Sequence, residues 1–287
     1  MIHSEGHLAT NGKADTQLFS QSWLPETAPR AILLVVHGMA EHSTRYNDLA
    51  AYFTARGFGL YGLDHEGHGR STGARGHINQ FADFHLGLQA LLNRATEAHP
   101  GIPVFLLGHS MGALIGATFL LEQQSAFAGG ILSGLALKTE ATPTGATRLL
   151  TRLLSKVWPQ LGILQLNADG VSRDPAVVAD YIADPLVHSG KISARLVNEM
   201  LVTMEKLEQQ APTLQLPLLV MHGEADSLTA AEGSRLFHQR VNSADKALHV
   251  YPELYHEIFN EPERDQVFAD VASWLQSHLP SEPSTAV

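Results

Sequence analysis

The chain has 287 residues, of which 44% are hydrophobic and 17% charged, so it can bury one substantial core as an ordinary globular protein. Its formal net charge of −10 argues against a nucleic-acid partner, because phosphate binding requires clustered cations. It contains no cysteine, no apolar run as long as the ~18 residues of a membrane-spanning helix, and no N-terminal signal-peptide pattern, so we expect a cytoplasmic protein without disulfides.

The predicted elements alternate between strands and helices along the chain. The N-terminal segment predicts an antiparallel hairpin, with strands at His7–Thr10 and Thr16–Leu24 around an Asn11-Gly12 turn. Mostly apolar runs then predict further strands at Ala31–Val36, Phe58–Leu63, Pro103–Leu107, Gly130–Leu137, Leu216–Met221 and Lys246–Tyr251. Helical periodicity is found at Thr44–Arg56, Phe81–Ala98, Met111–Gln123, Ala230–Val241 and Pro262–Leu279. This alternation predicts an α/β fold, in which helices cover both faces of a mostly parallel sheet.

One stretch, residues 138–213, interrupts the alternation and is too long for an ordinary connection. Its amphipathic segments and prolines predict an inserted helical cap over a core that comprises residues 1–137 and 214–280. Residues 281–287 are predicted to be a disordered tail.

Within the predicted cap, the segment Arg148–Trp158 has leucines along one broad helical stripe and a cation at every fourth position on its edge. Two interpretations remain open. The apolar stripe packs inward on the core, or it lies at a membrane surface where the cations meet lipid headgroups. Both interpretations predict an apolar groove beneath the cap, which suits an acyl chain better than a peptide or a sugar.

The segment Gly108–Gly112 matches the pattern G-x-S-x-G around Ser110. It follows a predicted strand and opens directly into a predicted helix, which is the setting that a nucleophilic serine on a strained turn requires. Ser71 lies in a second match, Gly69–Gly73, but that match sits in a polar glycine-rich loop without a strand before it or a helix after it. We therefore predict Ser110 as the nucleophile.

A serine nucleophile needs two N–H donors for the oxyanion that forms on the substrate. One is expected from Met111, which follows the serine. The other is expected from Met39, because His37-Gly38-Met39 follows the early strand Ala31–Val36.

The serine also needs a histidine and a carboxylate on loops after later strands. The strand Leu216–Met221 is followed by both Glu224 and Asp226, and we favour Asp226 because it lies at the far end of the loop, just before the next helix. Among 16 histidines, His256 is the candidate base because it follows the last strand and precedes the last helix, while His222 and His249 are interpreted as structural. No metal-ligand spacing is found, so we expect no metal site and no cofactor.

Several segments together resemble the monoacylglycerol lipase and lysophospholipase branch of the α/β-hydrolases, from about residue 30 to about residue 278. The segments are HGMAEHSTRY (37–46), LDHEGHGRS (63–71), LLGHSMG (106–112), HGEADSLT (222–229) and YHEIFNE (255–261). The resemblance implies an α/β-hydrolase fold with Ser110, Asp226 and His256 as the triad and Met39 and Met111 at the oxyanion positions. It also implies that His37, Gly38, Glu41, His42 and Arg45 support the oxyanion loop. Ala113 departs from the second glycine of many relatives.

We therefore expect a cofactor-free serine hydrolase whose partner is a small lipid ester, most simply a monoacylglycerol, with transient membrane-surface contact through the cap. A general carboxylesterase, a lysophospholipase or an acyltransferase on the same fold are the alternatives. A non-catalytic lipid-binding protein is the rival of a different kind, and the complete, correctly ordered triad argues against it.

Overall fold

The computed structural model of the chain describes residues 1–10, 13–138 and 145–279. The Asn11-Gly12 turn, residues 139–144 of the inserted segment and the predicted tail at residues 281–287 lie outside the described residues. Nowhere in the described ranges is a helix both long enough and apolar enough to cross a bilayer.

The described part of the chain contains ten strands and eight α-helices. The strands are β1 (Ile2–Thr10), β2 (Lys13–Leu24), β3 (Ala31–Val36), β4 (Phe58–Leu63), β5 (Val104–His109), β6 (Gly129–Ser133), β7 (Gly162–Leu164), β8 (Ile192–Ser193), β9 (Leu218–Gly223) and β10 (Lys246–Tyr251). The helices are α1 (Asn47–Thr54), α2 (Ala82–Ala98), α3 (Met111–Gln123), α4 (Gly145–Val157), α5 (Pro175–Ala183), α6 (Ala194–Gln210), α7 (Ala231–Arg240) and α8 (Arg264–Ser277).

Eight of the strands form one central sheet in the order β1-β2-β4-β3-β5-β6-β9-β10. The pairs β1–β2 and β2–β4 are antiparallel, and every pair from β4 to β10 is parallel. This is the mostly parallel sheet that the alternation of elements predicted. Because β3, β5, β6, β9 and β10 run in the same direction, the loops that follow them meet at one edge of the sheet.

Strand β3 shows why the central strands read as unbroken apolar runs. Its side chains alternate between the two faces of the sheet, and all six are buried. Leu34 and Val36 pack into a cluster that includes residues of α2, α3 and α6, whereas Leu33 and Val35 pack into a second cluster with residues of α1 and α8. Both faces of the sheet are therefore covered by helices, as predicted.

The predicted bounds of three elements are wrong by several residues. The first strand, predicted at His7–Thr10, already begins at Ile2, which pairs with Leu24 of β2. The strand predicted at Gly130–Leu137 ends at Ser133, because Gly134 turns the backbone with φ of +56° and its N–H donates to the Met221 carbonyl oxygen at 2.9 Å. The helix predicted at Thr44–Arg56 begins instead as a 3₁₀ turn at Ser43–Tyr46, and the regular α-helix starts at Asn47.

The segment inserted between β6 and β9 contains α4, α5 and α6 and the short antiparallel pair β7–β8, which the sequence analysis did not detect. Helix α6 packs against both α3 and α4. Leu196, Met200 and Leu207 of α6 enter the same core cluster as α3, so this helix joins the inserted segment to the body of the protein. Helix α4 contacts α6, and the residues of α4 that are buried are Thr151 and Ser155.

Candidate active site

Ser110 lies on a sharp turn between strand β5 and helix α3. Its backbone has φ of 56° and ψ of −120°, a conformation that costs a non-glycine residue free energy and is found mainly at functional sites. The turn is held because the Ser110 N–H donates to the Ser133 carbonyl oxygen at 2.8 Å. The structure therefore places Ser110 on the strained strand-to-helix turn that the sequence predicted.

The glycine after this turn is required by close packing of two backbones. A Cβ atom at Gly112 would lie 2.0 Å from the carbonyl oxygen of Val36 and 2.4 Å from that of His37. Any larger side chain would push the start of α3 away from the end of β3. This contact brings Ser110 next to the loop that begins at His37.

Asp226 and His256 are in direct contact, although 29 residues lie between them in the sequence. The His256 Nδ1 atom lies 2.6 Å from Asp226 Oδ2, and both side chains are buried. The other carboxylate oxygen, Oδ1, accepts the backbone N–H groups of Leu228 at 2.8 Å and Thr229 at 2.9 Å. The carboxylate is thus fixed in the loop after β9 and aimed at the ring.

The charges of the pair shift the two pKa values in opposite directions. Burial alone would raise the pKa of Asp226, but the neighbouring His256 and His222 outweigh it and hold that pKa well below its usual range. Burial alone would lower the pKa of His256, but the charge of Asp226 and the hydrogen bond to it raise that pKa above its ordinary value. An ionised Asp226 that stabilises a protonated His256 is what a triad requires.

The loop after β3 carries the second group of predicted residues. Ala40 in this loop has φ of 69°. In the described part of the chain, Ala40 and Ser110 are the two non-glycine residues with positive φ. The His37 ring lies within 2.8 Å of the Gly38 carbonyl oxygen, and its other nitrogen accepts the N–H of His65 at 2.9 Å. Among the described residues, no acceptor binds the N–H of Met39 or of Met111. Both donors are therefore available to a substrate oxygen.

Glu41 and Arg45 hold this loop from behind. Glu41 Oε1 accepts the Gly38 N–H at 2.5 Å and the Tyr46 hydroxyl at 2.9 Å. Arg45 pairs with Glu41 Oε2 at 3.4 Å and with Glu257 Oε2 at 2.5 Å. Burial, together with the nearby Glu257 charge, raises the pKa of Glu41 to about 7. The network connects the loop after β3 to the residue that follows His256.

The same loop is tied to the inserted segment. His42 Nε2 lies 2.8 Å from Asp184 Oδ2, and the Arg45 guanidinium lies 4.7 Å from the centre of the Tyr181 ring. The backbone N–H of Glu257 donates to Val171, also in the inserted segment, at 2.8 Å. The positions of the loop and of the insertion are therefore coupled.

The side chains that the sequence analysis set aside lie elsewhere. Ser71 is buried in its loop, where its hydroxyl donates to the Asp64 carbonyl oxygen at 2.5 Å and accepts the Phe19 N–H at 2.9 Å. Glu224 pairs with Arg235 near the surface. His249 lies in β10 with 41% of its side chain exposed. None of the three contacts the pair formed by Asp226 and His256.

Three further side chains that were not predicted for the site contact that pair. The Thr229 hydroxyl lies 2.9 Å from Asp226 Oδ2 and 3.2 Å from His256 Nδ1. His222, interpreted from the sequence as structural, lies 3.1 Å from the same Asp226 oxygen. The His109 ring lies 4.7 Å from the His256 ring, centre to centre. In the sequence, these three residues are marked only by lying close to the predicted site residues. Closeness in sequence does not show whether two side chains are in contact.

A cavity of about 730 Å³ lies above these groups, between the edge of the sheet and the inserted segment. Ser110, His256 and Met39 line its floor, while apolar side chains of α4, β7 and α6 form much of the rest, among them Leu150, Leu154, Ile163, Leu164, Val197, Met200, Leu201 and Met204. No arginine or lysine of the described residues lines it. The described residues also contain no group of side chains suited to a metal ion.

Comparisons with known proteins agree with this geometry. A family model described as Hydrolase_4, serine aminopeptidase S33, matches residues 27–263. The chain is 41% identical to a monoacylglycerol lipase of Mycolicibacterium smegmatis, over 93% of this chain and 96% of the relative. The chain belongs to this hydrolase family. The human monoglyceride lipase is 33% identical over 91% of this chain and 88% of its own length.

A solved structure of the family supports the same assignment. The crystal structure of the Paleococcus ferrophilus monoacylglycerol lipase matches with a TM-score of 0.83 and 31% identity, over 91% of this chain and 99% of that one. The predicted resemblance and the predicted α/β-hydrolase fold are confirmed. The expected enzyme class, a carboxylic ester hydrolase resembling monoacylglycerol lipases, is confirmed as well.

Proposed function

We propose that this chain hydrolyses monoacylglycerols to fatty acid and glycerol, with Ser110, Asp226 and His256 as its catalytic triad. The observation that carries the proposal is that Ser110 and His256 line one largely apolar cavity while Asp226 binds His256 from below at 2.6 Å. The names of the relatives, monoacylglycerol and monoglyceride lipases, point to the same substrate.

Each predicted residue then has a defined task. The Ser110 hydroxyl attacks the ester carbonyl while His256 takes its proton through Nε2, since Nδ1 is held by Asp226. The N–H groups of Met39 and Met111 bind the oxyanion. The C–O bond to glycerol breaks, His256 protonates the leaving alcohol, and an acyl-enzyme remains. Water, activated by His256, releases the fatty acid in the second half of the cycle.

The cavity favours a neutral lipid ester over a charged one. Its walls are largely apolar side chains, which suits an acyl chain. The absence of arginine and lysine among the described lining residues leaves a phosphate group without a cationic partner. A monoacylglycerol therefore fits this site better than a lysophospholipid, and a general carboxylesterase remains the alternative for the assay to test.

A fluorophosphonate probe and a series of esters test the proposal. We expect the probe to label wild-type protein and Ser71→Ala, and Ser110→Ala to remain unlabelled with activity reduced about 10⁴-fold or more. Hydrolysis of long-chain monoacylglycerols should exceed that of matched lysophospholipids and of short acetate or butyrate esters. Preference for the short esters would replace the monoacylglycerol proposal by a general carboxylesterase, and the lack of an adduct on Ser110 would refute both.

We further propose that residues 138–213 act as a cap over the core of residues 1–137 and 214–280, and that this cap makes transient contact with a lipid surface. Five apolar side chains at and beyond α4 are between 54% and 68% exposed: Leu149, Leu150, Leu153, Val157 and Trp158. The side chains that α4 buries are Thr151 and Ser155. These exposures favour the membrane-surface interpretation of the apolar stripe.

The cations of α4, and the continuity of its apolar surface with the cavity, support a lipid surface as the partner of this helix. Arg152 and Lys156 lie on the same helix as the exposed leucines, where they can meet anionic headgroups. Leu150 is 54% exposed and also lines the cavity, so the apolar surface of α4 continues into the cavity. A substrate dissolved in a bilayer can then pass to Ser110 along apolar groups. The cytoplasmic location expected from the sequence stays a prediction.

Vesicle sedimentation tests the cap proposal. Leu153→Asn with Trp158→Asn should weaken binding to phospholipid vesicles about tenfold or more, because each exposed apolar side chain buried in lipid contributes ~1.5–3 kcal/mol. Hydrolysis of a soluble short ester should not change. Ile2→Asn, at an equally exposed site on the edge strand β1, is the matched control. Unchanged vesicle binding by the double variant would remove the membrane-contact proposal.

A further inference from the structure

His222 is a buried histidine that the mechanism above does not use. It lies at the carboxyl end of β9, fully excluded from solvent. Its Nε2 atom is 3.1 Å from Asp226 Oδ2 and 3.2 Å from the Thr229 carbonyl oxygen, and its Nδ1 atom is 2.7 Å from the Ser234 hydroxyl. One side chain thus touches the strand end, the loop that carries Asp226 and helix α7.

These partners determine which nitrogen of His222 carries a proton. Nε2 faces a carboxylate oxygen and a carbonyl oxygen, which both accept hydrogen bonds and cannot donate them. The Thr229 hydroxyl also lies 3.3 Å from Nε2, but its single hydrogen is donated to the nearer Asp226 Oδ2, at 2.9 Å. A bare Nε2 would therefore place three acceptors together in a buried site, at a substantial cost in free energy. Nε2 must carry a hydrogen. The Ser234 hydroxyl can then donate to Nδ1 and hold the ring in this tautomer.

We propose that His222 is a positioning residue for the triad, donating its Nε2–H to the same Asp226 oxygen that binds His256. This inference rests on the proposed function, because it concerns the carboxylate of that triad. Asp226 Oδ2 then receives hydrogen bonds from His222, Thr229 and His256. His222 belongs to strand β9, so one of the three donors is fixed by the sheet and holds the oxygen in line with the His256 ring before substrate arrives.

The contact has an electrostatic consequence for His256. Each donor to Asp226 Oδ2 spreads part of the carboxylate charge, which leaves less of it to stabilise a protonated His256. The other ionisable groups that face His256 are Glu257, Glu41 and His109. Neither glutamate interacts with His222, and His109 does so only through its charge, without a hydrogen bond. Removal of His222 should therefore raise the pKa of His256 mainly through Asp226.

A matched pair of amide variants separates this role from a structural one. His222→Gln can present its amide N–H near the position of Nε2, toward Asp226. His222→Asn is one methylene shorter and reaches the position of Nδ1, toward Ser234, but not Asp226. Glu224→Gln, on the same loop but paired with the surface residue Arg235, is the control for an unrelated change.

The measurements are pH profiles of kcat/KM on an ester substrate, normalised by fluorophosphonate titration of active sites. We expect His222→Asn to shift the midpoint of the acid limb, the low-pH side of the kcat/KM profile, to a higher pH, by about half a pH unit. It should also lower kcat about threefold to tenfold, with little change in KM. His222→Gln should restore the limb toward its wild-type position, and Glu224→Gln should match the wild type. A merely structural His222 would lower the fraction of titratable sites without moving the limb.

A measurement on the wild-type protein keeps the proposal testable if the variants fail to fold. Nitrogen-15 NMR of histidine-labelled protein reports the tautomer of each ring, and we expect His222 in the Nε2–H form with a strongly downfield N–H proton. An Nδ1–H tautomer of His222, or an unchanged acid limb in labelled His222→Asn enzyme, would overturn the proposal. Failure of the proposed function itself would appear differently, as a wild-type Ser110 that the probe does not label.

Discussion

Replacing Glu41 by alanine would remove the carboxylate that holds the loop after β3, the proposed oxyanion loop. Glu41 Oε1 accepts the N–H of Gly38, the residue directly before Met39, at 2.5 Å. Complete loss of one oxyanion donor costs ~3 kcal/mol of transition-state stabilisation, which is about 10²–10³-fold in kcat. The His37 ring still holds the Gly38 carbonyl oxygen at 2.8 Å, so part of the loop geometry should survive. We therefore expect Glu41→Ala to lower kcat by about 100-fold, at the lower end of this range, with KM little changed.

Glu41→Gln should behave quite differently. Its amide oxygen can still accept the Gly38 N–H and the Tyr46 hydroxyl. Because burial raises the pKa of Glu41 to about 7, a neutral acceptor at this position differs little from the native side chain near neutral pH. The new amide N–H₂ would face Arg45, and this mismatch should cost less than about tenfold in kcat.

The assay is the initial rate of monoacylglycerol hydrolysis, divided by the concentration of sites that a fluorophosphonate probe titrates. Thermal denaturation of each variant separates a loss of catalysis from a loss of folded protein. Glu224→Ala, which removes a carboxylate from the surface, serves as the control. If Glu41→Ala keeps kcat within about threefold of the wild type on titrated sites, the loop is held by other contacts and the reasoning fails.

Three further predictions follow from the same geometry. Since the charge of Asp226 raises the pKa of His256, activity should fall on the acid side with a midpoint above pH 6.5, and a midpoint below that value in kcat/KM would contradict it. Gly112→Ala should lower the free energy of unfolding in urea by about 3 kcal/mol, because the new Cβ would overlap two backbone oxygens. Gly101→Ala is the control: its Cβ would meet no atom within 4 Å, so only its positive φ should cost stability, by ~1–2 kcal/mol. Equal losses would show that the close approach of α3 is not required. Ser71→Ala should lower the free energy of unfolding by about 1–2 kcal/mol, because two hydrogen bonds are lost, but the protein should still form the fluorophosphonate adduct. Loss of the adduct in this variant would identify Ser71, and not Ser110, as the nucleophile.

Direct contacts connect the inserted segment to the loops near Ser110 and His256. His42 and Arg45, which follow β3, contact Asp184 and Tyr181 of the inserted segment. Burial would raise the Asp184 pKa, but hydrogen bonds from the Leu186 N–H and from His42 lower it. A carboxylate thus anchors the insertion near the site.

Elements with strong local signals were predicted from the sequence with little error. The apolar run of β3, the boundary of α3 at Met111 and the elbow around Ser110 each depend on residues close together in the chain. The bounds of β6 were wrong because its end depends on a contact with β9, more than eighty residues later in the sequence. Register and strand ends are set by such partners, which periodicity does not reveal.

The sequence by itself determined the order of the elements, the α/β architecture and the serine on its turn, because hydrophobic periodicity and turn chemistry are local properties. Only the tertiary structure decided that Asp226, which the sequence favoured over Glu224, contacts His256, that His222 shares the same carboxylate oxygen, and that Leu149, Leu150 and Leu153 of α4 are more than half exposed. Each of these depends on how side chains from separate loops and helices pack at one edge of the sheet. The contact between Asp226 and His256 is made across 30 residues of sequence, and even the contact between His222 and Asp226, four residues apart, depends on how the loop after β9 folds back.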